Sequence, residues 1–538
     1  MSGLLERLGG YCPAAIALAL PTLFIPTAVG FPSVVDSYIL PRASLVLGGA
    51  LLATGLALLL PRGPGLGMLR LPLAMAAGAA LLAFIFSISW PASLAGSYTR
   101  YESLPMRLGY LGLLASAVWL LRSSRARETV VPAFVFGVTV ASIEALLQWA
   151  GKAPFRPDGN LGNANLFAGL VVLAVPLAVA RGLRPGPFVV AWWLALPILV
   201  GGLLVSTSRS GYLALLAGCL ALAVFEVRRR FAIHRAIVAG SAAVSALALA
   251  AAMLAIALGP LNRLNDDPAS LRLHLWQDGL RMIAARPLTG WGEDTTGLAF
   301  GRFLSHDYAS LVTFDRVHSG PLDLAATEGL LGLAALTWVL VVVMTGAWRA
   351  RFPGDAAALL AALVAFSVWV SFNFDWAPAT GAFWLLAGTA WAWVRAPEAA
   401  EVRAAEGPAA SHAPGWGRSA VALACAVAAL PMAVFPVVAD SWYYQGRADL
   451  SVRVDPLQAR YHWSLGEALV ANGSVSRGID EMRLAADYGE TEPGLYVELG
   501  DAESRVGDSA RARQDYRRAL EIDPYYTPAS QHLAALKG

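Results

Sequence analysis

The sequence predicts an all-α polytopic membrane protein: a transmembrane helical bundle with a large extracytoplasmic loop and a C-terminal α-helical repeat domain. Composition is the first observation, because 57% of the 538 residues are hydrophobic and only 14% are charged, whereas soluble globular chains carry about 25% charged residues. Apolar runs are the second, since several reach the roughly 20 residues that a helix needs to cross a bilayer. A 34-residue period near the C-terminus is the third.

Charge and cysteine usage exclude several other classes of protein. A net charge of +3 argues against a surface that binds nucleic acid, so no nucleic-acid partner is expected. Cys12, Cys219 and Cys425 all fall within apolar runs, so neither a disulfide framework nor a CxxC metal site is predicted. The apolar run that starts near residue 12 lacks a signal-peptide cleavage site. We therefore interpret it as the first spanning helix.

Thirteen apolar stretches are predicted to be spanning helices, and 356–372 and 379–394 are the weakest of them. About 12–13 spans are therefore expected, within a membrane domain that covers residues 1–438. The stretches are 12–30, 38–60, 70–90, 106–121, 130–150, 162–180, 188–206, 210–226, 235–258, 321–346, 356–372, 379–394 and 418–437.

The basic residues of the short loops predict the orientation of the bundle. If the N-terminus is cytoplasmic, every strongly basic loop lies on the cytoplasmic side. The polar segment 259–320 then forms an extracytoplasmic loop, and the odd number of spans places residues 440–538 on that same side. The basic residues concerned are Arg62, Arg70, Arg122, Arg125, Arg127, Arg181, Arg184, Arg228, Arg229, Arg230, Arg235, Arg349 and Arg351.

The C-terminal segment, residues 440–538, repeats every 34 residues, so that Gly466 aligns with Gly500 and Met482 with Tyr516. The period and the small and aromatic positions resemble tetratricopeptide repeats. Two and a half repeats are few for independent stability. We therefore expect this domain to lean on the membrane part, on a partner or on another copy. Docking of a protein or glycan is the functional prediction, and a simple stabilising cap is the alternative.

Three polar motifs fall on the predicted outer face, and the first is STSRSG at residues 206–211, in the tight turn between two spans. Arg209 is expected at the membrane boundary, beside serines that can cap the next helix. An interfacial arginine is costly in lipid and usually has an anionic partner. An arginine that only anchors the helix at the headgroups is the alternative.

The second motif is a helix within the outer loop, with Asp267 as N-cap, Pro268 at its first position and an end near Arg286. Arg272 and Trp276 are one turn apart and share a face of this helix. A guanidinium group at headgroup level suits the capture of a phosphate. An amphipathic interfacial helix without a catalytic role explains the same pattern.

The third motif is VHSGP at residues 317–321, where the loop enters the tenth predicted span. His318 precedes a helix N-terminus, where free N–H groups and the helix dipole favour an anion. A histidine there can act as a general base or as a phosphate ligand, and an interfacial polar residue is the alternative. His306, Asp307 and His318 lack the spacing of metal ligands, so neither a metal site nor a cofactor is predicted.

Taken in order, these motifs resemble the O-antigen ligase and polymerase superfamily of membrane glycosyltransferases. The resemblance covers roughly residues 150–350 and includes GNLGNAN at 159–165, STSRSG at 206–211, RPLTGWG at 286–292 and HSGPLDLAATEGLLGL at 318–333. Ser319 stands where the family commonly has asparagine after the histidine. Any role of that asparagine amide therefore does not carry over to this chain.

The resemblance implies transfer of a glycan from a polyprenyl-pyrophosphate donor to an acceptor hydroxyl, at the outer face of a bacterial cytoplasmic (inner) membrane. The reaction would be metal-independent and would invert the anomeric carbon. Arg209 and Arg272 would stabilise the pyrophosphate, with Arg286 as a third candidate, and His318 would assist deprotonation of the acceptor or hold the departing phosphate. The further substrate-binding candidates are Arg286, Asn163, Asn165 and Trp276. For Trp276 and Trp291, anchoring at the interface is favoured over stacking on sugars.

Several alternatives remain open at the level of the sequence. The acceptor is a glycan, a lipid or a protein, and a polysaccharide polymerase of the same superfamily is the closest rival to a ligase. A transporter would need symmetry between halves and charges at mid-membrane depth, for which Glu144 and Asp323 are the main candidates. A scaffold that presents the repeat domain would leave the three motifs on one face unexplained. Membrane lipids, the carrier-linked glycan and a protein docked on the repeats are the expected partners.

Overall fold

The computed structural model describes residues 2–25, 33–60, 65–230, 269–306, 313–406 and 415–536. Within these ranges the chain forms 23 α-helices and no β-strand, which confirms the predicted all-α polytopic fold. The helices of the membrane part are α1 (Ser2–Thr22), α2 (Leu40–Leu59), α3 (Arg70–Ile85), α4 (Trp90–Ala95), α5 (Leu104–Leu120), α6 (Ser124–Ala150), α7 (Ala164–Gly182), α8 (Val189–Ser206), α9 (Arg209–Arg230), α10 (Ala269–Ala285), α11 (Thr296–Ala299), α12 (Gly320–Thr327), α13 (Gly329–Arg349), α14 (Ala356–Val370), α15 (Ala377–Val394), α16 (Ala396–Glu406) and α17 (Trp416–Tyr444).

Eight of the described helices are long and apolar enough to cross a membrane, namely α2, α3 with its preceding 3₁₀ turn, α6, α7, α8, α9, α13 and α17. The helices α5 and α14 are apolar but shorter. A helix overlaps each of the predicted spans except 235–258, which lies outside the described residues. A multi-pass bundle is therefore established, and a total of 12–13 spans stays a prediction.

The predicted span 321–346 is wrong in one respect, because it is two helices. The short helix α12 ends at Thr327, and α13 begins at Gly329. Gly329 has a φ of +72°, and a Cβ there would come within 2.1 Å of the Leu288 carbonyl oxygen. The break therefore follows from a left-handed glycine pressed against the outer loop, a feature that hydropathy does not register.

Helix α15 lies at the centre of the bundle, with its residues from Ala377 to Ala392 buried. It packs against α5 through Gly388, where a Cβ would come within 2.4 Å of the Leu114 carbonyl oxygen. Small residues of this kind let spanning helices approach closely. Trp384 and Trp391 of α15 therefore pack inside the protein.

Contacts between loops divide them between two ends of the bundle. At one end, called the basic end here, Arg181 and Arg184 both pair with Asp355, and the Trp391 indole donates to the Leu66 carbonyl. This end collects the loops in which the sequence places its arginine clusters. The predicted grouping of loops is thus confirmed, and which group faces the cytoplasm stays a prediction.

The opposite end, called the site end here, carries the remaining loops and the C-terminal segment. The Asp36 amide donates to the Asp440 carboxylate (3.0 Å), and the Ile88 amide donates to the Trp291 carbonyl (3.1 Å). The segments near residues 36, 88, 291 and 440 are all predicted to share one face of the membrane. These contacts place the described parts of the large loop and the C-terminal segment at the same end of the bundle. The side of the membrane on which this end lies stays a prediction.

The C-terminal segment contains α18 (Ala448–Val454), α19 (Ala459–Ala471), α20 (Val475–Asp487), α21 (Pro493–Arg505), α22 (Ser509–Ile522) and α23 (Thr527–Ala535). The pair α21/α22 starts 34 residues after the pair α19/α20, as the predicted period requires. Gly466 packs on Met482 and Gly500 on Tyr516, with 2.5 Å from an added Cβ to the nearest side-chain atom in each case. A helix-pair repeat is therefore present, and its identity as a tetratricopeptide repeat stays a prediction.

The repeat domain rests on the membrane part, as expected for so few repeats. The Arg460 guanidinium lies 5.7 Å from the centre of the Tyr98 ring, and the Gln458 amide donates to the Gly96 carbonyl. A Cβ on Gly301 would come within 2.1 Å of the Ile522 carbonyl oxygen, so outer loop and repeat touch backbone to backbone. These contacts hold the repeat domain beside the outer loop.

Candidate functional site

A short loop between α14 and α15, residues 371–376 and called the central loop here, joins the three motifs that the sequence singles out. The Phe372 carbonyl accepts a hydrogen bond from the Arg272 guanidinium. The side-chain amide of the next residue, Asn373, donates to the Ser210 hydroxyl (3.1 Å), which adjoins Arg209. Arg272 and Ser210, the neighbour of Arg209, thus contact consecutive residues of one loop.

The third motif meets the same loop one residue later. The rings of Phe374 and His318 lie 5.5 Å apart, edge to face. His318 itself has a φ of +58° and is half-buried, and its ring also lies beside Phe314. Its carbonyl accepts from the Trp276 indole (3.4 Å), so the predicted base is tied to the helix that bears Arg272. The central loop therefore contacts Arg272, His318 and Ser210, the residue that follows Arg209.

The STSRSG turn is shaped by an arginine from the neighbouring loop. Thr207 adopts the left-handed conformation (φ +54°) between α8 and α9. The Arg156 guanidinium donates to the Ser206 carbonyl (2.7 Å), the Thr207 hydroxyl (2.9 Å) and the Asn165 amide oxygen (3.1 Å). Arg156 thus fixes the end of α8 and, with it, the position from which Arg209 begins α9.

The two asparagines predicted to bind substrate have structural partners. The Asn163 side chain accepts from the amides of Asn165 (2.8 Å) and Leu166 (3.3 Å), which makes it the N-cap of α7. The Asn165 carbonyl accepts from the Trp369 indole (3.0 Å) near the central loop. Asn165 is therefore close to the gathered motifs, whereas the Asn163 side chain is occupied with its own helix.

Helix α10 presents the predicted Arg272 and Trp276 face to the central loop, since the Trp276 ring lies 5.8 Å from that of Phe372. The predicted start at Asp267 and Pro268 lies outside the described residues, and the helix ends at Ala285, one residue before the predicted end. Trp276 packs against protein rings here, so its contacts favour neither sugar stacking nor lipid anchoring.

Arg286 and Trp291 form a separate contact beyond the end of α10. The Arg286 guanidinium stacks 4.5 Å from the Trp291 ring centre and donates to the Phe86 carbonyl (3.2 Å). Trp291 is 7% exposed, and its indole donates to the Met282 carbonyl. The expectation that Trp291 anchors the loop at the lipid interface is therefore wrong, because its ring lies inside the loop.

The RPLTGWG and ATEGLLG segments interlock through their backbones. The amides of Trp291 and Gly292 donate to the carbonyls of Ala326 and Thr327, at 2.9 Å each. Gly290 has a φ of +66°, and a Cβ there would come within 2.3 Å of the Thr327 carbonyl oxygen. These glycines allow the close approach. The outer loop is thereby locked onto α12, the helix that follows His318.

A buried network of carboxyl and guanidinium groups lies beneath this arrangement. Arg107, with a 5% exposed side chain, contacts Glu328 (2.6 Å), Glu293 (3.0 Å) and Asp375 of the central loop (3.2 Å). Arg316 pairs with Asp294, and Arg100 binds Asp315 through two nitrogens. Carboxyl groups outnumber guanidinium groups in this set. The carboxyl groups are Glu102, Glu293, Asp294, Asp315, Asp323, Glu328 and Asp375, and the guanidinium groups are Arg100, Arg107 and Arg316.

This imbalance separates the carboxyls into ionised and protonated groups. Burial raises the pKa of Glu102 to about 8 and that of Glu328 well above its usual range. Burial opposes ionisation of Glu293 and Asp315 as well, but Arg107 lowers the pKa of the first and Arg100 lowers that of the second to about 2. Neutral carboxylic acids and carboxylates thus lie side by side at neutral pH.

Sequence reasoning missed Arg107, Arg156 and the whole central loop. Arg107 carried a usable signal, because a charge inside an apolar stretch is costly unless it is paired. The central loop carried none, since a short polar turn between two spans is expected wherever a chain recrosses the membrane. Within the described residues, no group of three or more His, Cys, Asp or Glu side chains is arranged to hold a metal ion.

Residues 194–337 match the family model of the O-antigen ligase domain. The match begins within α8 and ends within α13, so it takes in Arg209, the described part of the outer loop and His318. The central loop, Arg107 and the repeat domain lie outside it. No curated protein matches the chain. The match supports the O-antigen ligase superfamily for this part of the protein, and with it glycan transfer of the ligase or polymerase type in general.

Proposed function

We propose that this protein transfers a glycan from a polyprenyl-pyrophosphate carrier to an acceptor hydroxyl, at the extracytoplasmic face of a bacterial cytoplasmic membrane. One observation carries the proposal: three consecutive residues of the central loop contact Arg272, the neighbour of Arg209, and His318. These are the groups that displacement of a pyrophosphate requires. The O-antigen ligase match supports the general reaction.

Arg209 and Arg272 are assigned to the pyrophosphate. Guanidinium groups bind phosphate oxygens through paired hydrogen bonds and stay charged at any physiological pH. The hydrogen bond from Arg272 to the Phe372 carbonyl holds its side chain in one orientation. Charge builds up on the leaving oxygen during the reaction, and preorganised donors of this kind stabilise it by about 3–4 kcal/mol each.

His318 is assigned to the acceptor hydroxyl. As the oxygen of that hydroxyl attacks the anomeric carbon, its O–H bond breaks and the proton passes to the imidazole. The bond between the anomeric carbon and the pyrophosphate oxygen breaks with both electrons on that oxygen. Because attack and departure occur on opposite faces of the carbon, the product has the inverted configuration. Phe314 and Phe374 pack against the ring and limit its rotation.

Arg286 is assigned to the structure of the loop instead of the substrate. Its guanidinium is engaged by the Trp291 ring and the Phe86 carbonyl, away from the central loop. This reassignment separates it from Arg209 and Arg272, with which the sequence groups it. We place the acceptor, whether glycan, lipid or protein, on the side of the repeat domain, because that domain contacts the outer loop directly.

The test uses separate Arg209→Ala, Arg272→Ala and His318→Ala variants in the native host, with Arg281→Ala as the matched control. Arg281 lies on the same helix as Arg272, and its 58% exposed side chain pairs with the buried carboxylate of Asp278. At normal membrane levels, we expect the three site variants to accumulate carrier-linked glycan and to lose transferred glycan. The control should transfer as the wild type does.

Normal transfer by all three site variants would refute the assignment of the site. A deletion strain with unchanged glycans would refute the proposed reaction itself. Where transfer is lost, the chain-length distribution of the product separates the two remaining activities. A polymerase defect removes long chains from the carrier, whereas a ligase defect leaves long chains attached to it.

A further inference from the structure

A small cavity lies on the inner side of the central loop. Its volume is about 10 Å³, which is room for about one water molecule. Phe374, whose ring also contacts His318 and Arg100, forms part of its wall. The charged residues that line the cavity are Glu102, Arg107, Glu293, Arg316, Asp323 and Asp375. A polar, water-sized space therefore lies next to a residue that contacts the assigned base.

Asp323 places its two carboxyl oxygens in different surroundings. One oxygen accepts from the Val317 amide (2.7 Å), directly before His318. The other oxygen has no hydrogen-bond partner among the described atoms, although the residue is only 6% exposed. An unpartnered carboxyl oxygen in a buried site is costly. Because this unpartnered oxygen belongs to a residue that lines a polar cavity, we examine it as a functional group.

The cations around Asp323 are already engaged. Arg316 pairs with Asp294, and Arg107 contacts Glu293, Glu328 and Asp375. The other charged groups near Asp323 are Asp315 before α12 and Asp375 of the central loop, and Glu102 lines the same cavity. His318 in turn acts on Asp315 and directly follows Val317, whose amide donates to Asp323. Burial raises the pKa of Asp323 to about 7, against the opposing attraction of Arg316. Both its protonated and ionised forms are thus accessible near neutral pH.

We propose that Asp323 is a second proton acceptor of the transfer reaction, which receives from His318 the proton released by the acceptor hydroxyl. This inference rests on the proposed function. The acceptor O–H bond breaks, the proton passes to the imidazole and then through one water in the cavity to the Asp323 carboxylate. His318 returns to its neutral form, and the pyrophosphate leaves with its electron pair. The same Asp323 positions His318 through the Val317 amide.

The substitution Asp323→Asn separates the two roles of the side chain. An asparagine retains an oxygen that can accept from the Val317 amide, but it cannot take up a proton at neutral pH. Asp323→Ala removes both roles. Asp278→Asn serves as the matched control. Asp278 is a buried carboxylate of α10 that binds Ser305 and Arg281 and does not line the cavity.

Glycan transfer is measured for the purified full-length protein in lipid vesicles between about pH 6 and 8, around the pKa of Asp323. We expect Asp323→Asn to slow transfer about tenfold or more and to flatten the rise of the rate with pH. Asp278→Asn should keep the wild-type profile. In infrared difference spectra over the same pH range, one protonated-carboxyl band present in the wild type should be missing in Asp323→Asn.

Wild-type rate and pH profile in Asp323→Asn, together with a loss of transfer in Asp323→Ala, would overturn the inference and leave Asp323 as a positioning residue only. An unchanged carboxyl band would overturn it as well. The proposed function fails separately, if the wild type transfers no glycan or if Arg209→Ala, Arg272→Ala and His318→Ala are all fully active.

Discussion

The two ends of the membrane bundle are both rich in arginine but surround it differently. At the basic end, Arg349 is exposed, and Arg127 donates to the backbone carbonyls of Leu121 and Arg122. At the site end, Arg107 is buried and contacts three carboxyl groups. Burial or a carboxyl partner alone does not distinguish a site, since Arg127 is buried and Arg181 pairs with Asp355 at the basic end. The difference is that Arg107 is buried and shared by three carboxyl groups, which we interpret as part of a site.

Removal of one arginine from each end tests this difference most strongly. Arg107→Met leaves Glu293, Glu328 and Asp375 buried without their shared cation, and losing one partner of a buried ion pair costs about 3–5 kcal/mol. Arg349→Ala, at the exposed end of α13, should stay within about 0.5 kcal/mol of the wild type. Melting temperatures of the two purified variants make the comparison.

Equal melting temperatures for Arg107→Met and Arg349→Ala would show that the buried network contributes no more than a surface arginine. The distinction between the two ends would then have no energetic basis.

The next prediction concerns pH, because the site end holds carboxylic acids whose pKa values are raised by burial. Burial raises the pKa of Glu102 from 4.5 to about 8, so the folded protein binds a proton there that the unfolded chain has released. Stability is unaffected by this group below about pH 4.5 and falls as the pH rises towards about 8, by up to about 1.4 kcal/mol per pH unit.

Glu102→Gln keeps an oxygen that can accept from the Tyr110 hydroxyl and removes the ionisation. Its melting temperature should therefore decline less between about pH 5 and 8 than that of the wild type. Glu128→Gln, an exposed residue of the basic end, is the control and should follow the wild-type slope. A Glu102→Gln slope equal to that of the wild type would show that Glu102 ionises without cost in the folded protein.

A smaller effect is expected where the central loop holds the STSRSG turn. Asn373→Ala removes the hydrogen bond to the Ser210 hydroxyl, which is worth about 1 kcal/mol, and frees the turn that positions Arg209. Transfer should fall about tenfold, with little change in melting temperature. The control is Ser371→Ala, which removes the hydrogen bond from the first residue of the central loop to the Ser367 carbonyl of α14. Equal activity of the two variants would contradict the role of Asn373.

The smallest predicted effect on glycan transfer is at the docking of the repeat domain. The Tyr98 hydroxyl donates to the Asp440 carboxylate (2.6 Å), which also accepts from Tyr461. Tyr98→Phe should cost about 1–2 kcal/mol and increase proteolysis between α17 and α19, while glycan transfer persists. Unchanged proteolysis would show that the remaining contacts, such as that of Gly301 with Ile522, suffice for docking.

The sequence predicted most of the helices, because a bilayer imposes a length on apolar segments that periodicity and hydropathy detect. It also predicted the 34-residue repeat and the motifs around Arg209, Arg272 and His318. The break at Glu328 was missed, because residues 321–346 were interpreted as one span and the close contact of Gly329 with Leu288 is visible only in the structure. A single sequence gives no sign of such a contact.

The contacts between the motifs could not be predicted from the sequence either. Asn373 contacts Ser210, and Phe372 contacts Arg272, across intervening spans whose packing depends on small residues such as Gly388. Arg286 was grouped with the pyrophosphate-binding arginines because the chemistry of an arginine side chain is visible in sequence, whereas its stacking on Trp291 is not. Residue type predicts what a group can do, and packing decides where it does so.

The central claim is that Arg209 and Arg272 act on one pyrophosphate, and a double-mutant cycle tests it most directly. Transfer of carrier-linked glycan is measured in lipid vesicles for the wild type, Arg209→Ala, Arg272→Ala and the double variant. If both arginines hold the same leaving group, the double variant should lose far less than the product of the two single losses. If the loss of transfer in the double variant equals the product of the two single losses, the two arginines act independently, and the claim of a shared pyrophosphate site is contradicted.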